Sequence, residues 1–128
     1  MNRSLVLKAL PALRAPRVRR ARKVPLVWLL LPNMRDQEAA KDADVVNRLI
    51  IEAARTRAHV VLVRTWEATS GPSGAYEPHF KDRKGEVRLM RAGDGVHFAE
   101  PAYEVFAERV LEALKGASPR FKALTAGR

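Results

Sequence analysis

The chain has no cysteine, which excludes disulfides, thiolate metal sites and cysteine nucleophiles. Aromatic residues make up only 6% of it. None is interleaved with the arginines near the start, which argues against a stacking surface for single-stranded nucleic acid. No apolar run reaches the roughly 18 residues that cross a bilayer, so no transmembrane segment is expected. The short apolar stretch Leu5–Leu7 is cut by Lys8 and Pro11 and is followed by no small-residue cleavage site. No signal peptide is therefore expected. The histidines, His59, His79 and His97, lie far apart, and no pair has metal-ligand spacing. Neither a metal nor a cofactor is expected.

What the chain has in excess is positive charge, a formal +10 over 128 residues. Much of it falls in Arg14, Arg17, Arg19, Arg20, Arg22 and Lys23. Such a run holds nucleic acid or anionic lipid by non-specific electrostatics, or is a solvated arm. Pro11 and Pro16 oppose a long helix there, so residues 1–23 read as a basic, flexible lead.

Val24 to Leu31 is a continuous apolar run, the pattern of a strand buried on both faces of a parallel sheet. From about Asp36 to Arg57 the pattern is helical, with Asp36 as N-cap and Val46, Leu49, Ile50, Ala53 and Ala54 on one face. His59 to Val63 is a second short buried strand. Strand, helix and strand in this order predict a βαβ unit with a right-handed crossover. Thr69–Gly74 is a loop, and Lys81–Gly85 a turn between two short extended pieces. Pro101 suits the first position of a last helix, with Tyr103, Phe106, Ala107, Val110 and Leu114 as its buried stripe and Gly116 at its end. Residues 117–128 read as a tail. Trp28 and Trp66 are expected in the core.

Asp94-Gly95-Val96-His97-Phe98 carries the chemistry. A carboxylate three residues before an imidazole, across a turn opened by glycine, lets both side chains face one site. There a carboxylate orients the imidazole and stabilises its cation while the imidazole moves a proton. The plainer reading is an aspartate capping a turn beside a loop histidine. Asn33, Met34 and Arg35 follow a strand's carboxyl end, where open α/β sheets bind ligands. Arg35 has the planar fork for a substrate carboxylate or phosphate, or for pairing with Asp36 or Glu38.

Five segments, in order, carry a resemblance over most of residues 20–115. They are Leu31-Pro32-Asn33-Met34-Arg35-Asp36; Val45-Val46-Asn47; Val63-Arg64-Thr65-Trp66; Gly85 to Arg91 leading into Asp94-Gly95-Val96-His97-Phe98; and Pro101-Ala102-Tyr103. The chain resembles the C-terminal part of the DUF459 family, a bacterial branch of the SGNH (GDSL-like) hydrolases. The resemblance implies a partial flavodoxin-like α/β/α sandwich with parallel strands, spanning residues 24–116. It implies hydrolysis or transfer of acyl esters, with His97 as general base, Asp94 orienting it, and Arg35 and Asn33 on the substrate. Ester-containing small molecules, carbohydrates or cell-envelope components are the implied substrates, and the periplasm or envelope the implied setting.

Three departures stand out. Arg64 replaces an expected acidic residue, Ala102 an expected glycine, and the Gly-Asp-Ser block that supplies the nucleophile has no counterpart. Ser70 and Ser73 lack the strand-to-turn setting of an activated serine, and Ser4 and Ser118 fall in the expected mobile ends. The expectation is half a site, weak or inactive alone, with an open strand edge inviting self-association or a complementing N-terminal half. The competing expectation is a small basic binding module. In it the arginine-rich lead holds nucleic acid or an anionic envelope polymer, with binding that weakens steeply in salt.

Overall fold

Two short strands and the helix between them form the frame on which the candidate site rests. In the computed structural model, which describes residues 24–126, the apolar run forms β1 (Leu26–Leu29) and the second run forms β2 (Val60–Val63). They pair in parallel from Leu26↔Val60 to Leu29↔Val63. Between them, α1 (Gln37–Ala54) starts where Asp36 accepts a hydrogen bond from the Ala39 amide at 2.8 Å. The predicted βαβ order is present, and the fold is mixed α/β. The basic lead of residues 1–23, and any binding by it, lies outside the described residues.

The expectation that the first strand is buried on both faces needs correction. Only β2 flanks β1 among the described residues, and Leu26 and Trp28 are each 45% exposed. Trp28 is therefore not a core residue, whereas Trp66 is half-buried. Along α1, Val46, Leu49, Ile50 and Ala54 are half-buried as their spacing predicts, and Ala53 is exposed. The most buried positions are Ala43 and Asn47.

Asn47 explains part of this choice. Its Oδ1 accepts from the Leu31 amide and its Nδ2 donates to the Leu31 carbonyl, both at 2.8 Å. The side chain thus stands in for the neighbouring strand that this residue lacks.

After β2 come a 3₁₀ turn (Glu67–Thr69) and a hairpin of β3 (His79–Lys81) with β4 (Val87–Leu89), antiparallel. Asp82 Oδ1 takes the amides of Lys84 and Glu86, and Gly85 supplies the positive φ of 85° that the turn requires.

The last long helix, α2 (Glu100–Ala117), has Pro101 in its first turn. Its buried residues are Ala102, Val105 and Phe106, which pack with Met90 and with half-buried Ala68, Phe80 and Phe98. The stripe is rotated from the predicted one: Val110 and Leu114 are half-buried, while Tyr103 and Ala107 are exposed. The cause is the position of the core, which the hairpin and the Phe98 loop build against the helix's first turns. The segment expected as a tail contains a short helix instead, α3 (Pro119–Thr125). Ser118 caps it by accepting from the Phe121 amide at 3.2 Å, and Pro119 fits its first position. Gly116 accordingly lies inside α2 and does not end it.

Asn47→Leu keeps the number and branching of the heavy side-chain atoms and removes the partners of both polar groups of Leu31. Unpaired backbone groups of this kind cost about 1–3 kcal/mol each. The variant is expected to lower the urea midpoint with an unchanged slope, a loss of about 2 kcal/mol or more.

Candidate functional site

The loop from Met90 to Ala99 is a closed clasp. Arg91 and Phe98 form an antiparallel bridge, the Ala92 amide donates to the His97 carbonyl at 2.8 Å, and the Ala99 amide donates to the Met90 carbonyl at 2.9 Å. Phe98 anchors the clasp in the core, with its ring centroid 4.7 Å from that of Phe106. At the tip, Gly95 has φ 73°. A β-carbon at Gly95 would sit 2.5 Å from Cβ of Arg35, so neither the conformation nor the space admits a side chain.

This geometry brings Asp94 and His97 together. Asp94 Oδ2 lies 2.6 Å from His97 Nδ1. Asp94 Oδ1 accepts the amides of Val96 at 2.8 Å and His97 at 2.9 Å. Both carboxylate oxygens are therefore engaged. The His97 side-chain bond, followed by the two amides, holds the Asp94 carboxyl well below the usual carboxylate range. An ionised Asp94 fixes the proton of a neutral His97 ring on Nδ1 and leaves Nε2 as the basic nitrogen. The His97 side chain is 75% exposed.

The two residues expected to meet substrate have structural bonds. Asn33 is buried; its Nδ2 donates to Ser70 Oγ at 3.0 Å and to the Gly74 carbonyl at 3.2 Å. Arg35 is exposed and pairs with neither Asp36 nor Glu38, since Asp36 caps α1 and Glu38 binds Lys41. Instead Arg35 Nη2 donates to the Gly93 carbonyl at 2.6 Å, and its amide donates to the Gly95 carbonyl at 3.2 Å. Arg35 thus lies against the tip that carries Asp94.

Among the serines, Ser70 Oγ donates to the Trp66 carbonyl at 2.7 Å and accepts from Asn33. Ser118 caps α3, and Ser73 is exposed in the 71–74 turn. Ser4 lies outside the described residues. A groove of about 230 Å³, lined by Leu30, Asn47, Ile51, Thr65 and Trp66 among others, does not include Asp94 or His97. No group of three or more His, Asp or Glu side chains gathers as a metal site among the described residues. None of their helices is long and apolar enough to cross a membrane.

Sequence reasoning missed Arg91, which is 1% exposed. Its Nη1 donates to the Asn33 carbonyl at 2.6 Å and its Nη2 to the Val96 carbonyl at 2.8 Å. The guanidinium lies over the rings of Tyr76 and Phe98, with Cζ 5.1 and 5.0 Å from their centroids. Burial pulls its pKa below the ordinary arginine value. The only cue in the sequence is an arginine directly after Val87-Arg88-Leu89-Met90, and Arg88, with the same flanking composition, is exposed.

The sequence model of the family described as "Protein of unknown function (DUF459)" matches residues 13–113. The chain belongs to that family. No curated protein matches it.

The depressed carboxyl of Asp94 predicts a definite pH dependence. Its contribution to stability is present above the pKa of an unfolded aspartate, near 4, and is lost as pH falls toward the lower folded value. The stability gap between the native chain and Asp94→Asn should therefore shrink on acidification below about pH 4. In His97→Ala the Asp94 carboxyl, followed by NMR, should titrate closer to the ordinary range, because its largest partner is gone.

Proposed function

We propose that Asp94 and His97 are the acid–base half of an SGNH-type site for hydrolysis or transfer of acyl esters. One observation carries this reading. The imidazole is held by an ionised carboxylate at 2.6 Å while its ring remains open to a reactant. In this chemistry Nε2 takes the proton of a hydroxyl as that oxygen bonds to the ester carbonyl carbon. Asp94 stabilises the resulting imidazolium, and the proton passes to the departing alkoxide as the C–O bond breaks.

On this reading the nucleophile is a serine on a complementing N-terminal half. The bonds of Ser70 and Ser118 support that reading. Residues 24–116 are then the C-terminal portion of the catalytic domain. Arg35, beside Gly93, is placed to meet an anionic group of the substrate, for which an ester-bearing carbohydrate or envelope component is the proposed class.

The test is hydrolysis of an activated aryl ester by the full chain, with His97→Ala and Asp94→Asn alongside. Slow turnover is expected, because on this reading the chain supplies neither the nucleophile nor the donors for the developing oxyanion. It should fall by about 10²-fold in His97→Ala, the lower bound for a general base, and by less in Asp94→Asn. Equal rates for the native chain and His97→Ala would end the proposal. Labelling with a fluorophosphonate should give no His97-dependent adduct. One on Ser73 would place the nucleophile within the chain.

A further inference from the structure

Arg91 is a fully buried cation whose bonds go to main-chain oxygens, save one from Nη2 to Met34 Sδ at 3.7 Å. Its two terminal nitrogens reach two separate segments: Nη1 the Asn33 carbonyl after β1, and Nη2 the carbonyls of Val96 at 2.8 Å and Gly95 at 3.4 Å. Gly95 and Val96 are the residues between Asp94 and His97. Their carbonyls point back to Arg91, while the amides of Val96 and His97 point to Asp94. The same peptide units are thus held from both sides. The Nε of Arg91 is buried without a partner among the described residues. An apolar side chain of similar length would avoid both that loss and the desolvation of the charge, but would leave the Asn33 and Val96 carbonyls without this donor. The arginine serves here through a fork that spans two segments.

We propose that Arg91 is a positioning residue, which by bonding the carbonyls of Gly95 and Val96 sets the turn that holds the Asp94 carboxylate against His97 Nδ1. The inference rests on the reading of Asp94 and His97 as an acid–base pair. It adds the physical link between that pair and the end of the parallel sheet. Arg35 supports the outer side of the same tip through Gly93 and Gly95. Of the two arginines, only Arg91 reaches the Val96 carbonyl.

The experiment reads the ring directly and needs no turnover. In the ¹⁵N-labelled full chain, in mildly alkaline buffer, the two ring nitrogens of His97 report which one carries the proton. The resonance is assigned by its loss in His97→Ala. The native chain is expected to hold the Nδ1–H form predominantly, and Asp94→Asn to release it toward the mixture of a free imidazole. Arg91→Met, with its fold verified by the amide spectrum, should shift His97 in the same direction as Asp94→Asn. Arg91→Lys keeps the charge and a donor without the fork, and should fall between native and Arg91→Met. It also serves if Arg91→Met does not fold.

A purely structural arginine would lower stability and leave the His97 tautomer unchanged. That result, in either folded Arg91 variant, overturns the proposal provided Asp94→Asn does shift the ring. If Asp94→Asn leaves the ring unchanged, the acid–base pair itself is wrong, and the role of Arg91 falls with it.

Discussion

The structure depends on how the chain satisfies its backbone as it leaves β1. From Leu30 to Asn33 the strand has ended, yet Leu30, Pro32 and Asn33 are buried. Buried peptide groups need partners, and beyond the Leu30 amide, which donates to Val63 of β2, no strand pairs with this segment among the described residues. Side chains take that role. Thr65 Oγ1 donates to the Leu30 carbonyl, Asn47 brackets Leu31, Thr69 Oγ1 accepts the Asn33 amide, and Arg91 Nη1 donates to the Asn33 carbonyl. These four residues come from α1, from the connection after β2 and from the clasp. One four-residue segment therefore ties three parts of the chain together, and the position of Asp94 and His97 follows from it.

This explains which parts of the fold are legible in the sequence. Strands and helices declare themselves through side-chain periodicity, so β1, α1, β2, the hairpin and α2 all fall near their predicted places. Asp94 and His97 are legible because the spacing across a glycine turn is local. Asn47, Thr65, Thr69 and Arg91 are not. Their partners are main-chain groups up to 58 residues away, and a polar residue on a helix or loop gives no sign of which distant carbonyl it serves. Asn33 shows the same limit from the other side. Its place after a strand suggests a ligand contact, whereas its amide nitrogen bonds Ser70 and Gly74. The rotated stripe of α2 also arises here, because a helix face is fixed by where the core lies, and the Phe98 clasp puts the core at the helix's beginning.

The exposure of His97 constrains what the pair can do. Charges in water interact weakly, and the same pair in a closed, drier site is worth several times more. A dyad whose imidazole is mostly exposed is oriented for proton transfer but is not enclosed for it. On the proposed reading, strong catalysis needs a further wall that brings donors toward the reacting oxygen and excludes water. Apolar side chains are likewise exposed along β1, at Leu26, Trp28 and Leu29.

On the proposed reading, the hydrogen bonds of the pair also favour His97 over Asp94 as the base. Every acceptor direction that Asp94 uses is directed inward: two to amides of its own turn and one to His97. A carboxylate held this firmly in its ionised form is a weak proton acceptor, because protonation would break the bonds that define the turn. The imidazole has the opposite character. One nitrogen faces Asp94 and the other has no protein partner among the described residues, so it can meet a reactant without disturbing the clasp. On the proposed reading the turn therefore separates a charge that orients from a ring nitrogen that meets the reactant, and it does so with backbone bonds that Arg91 and Arg35 hold in place from behind.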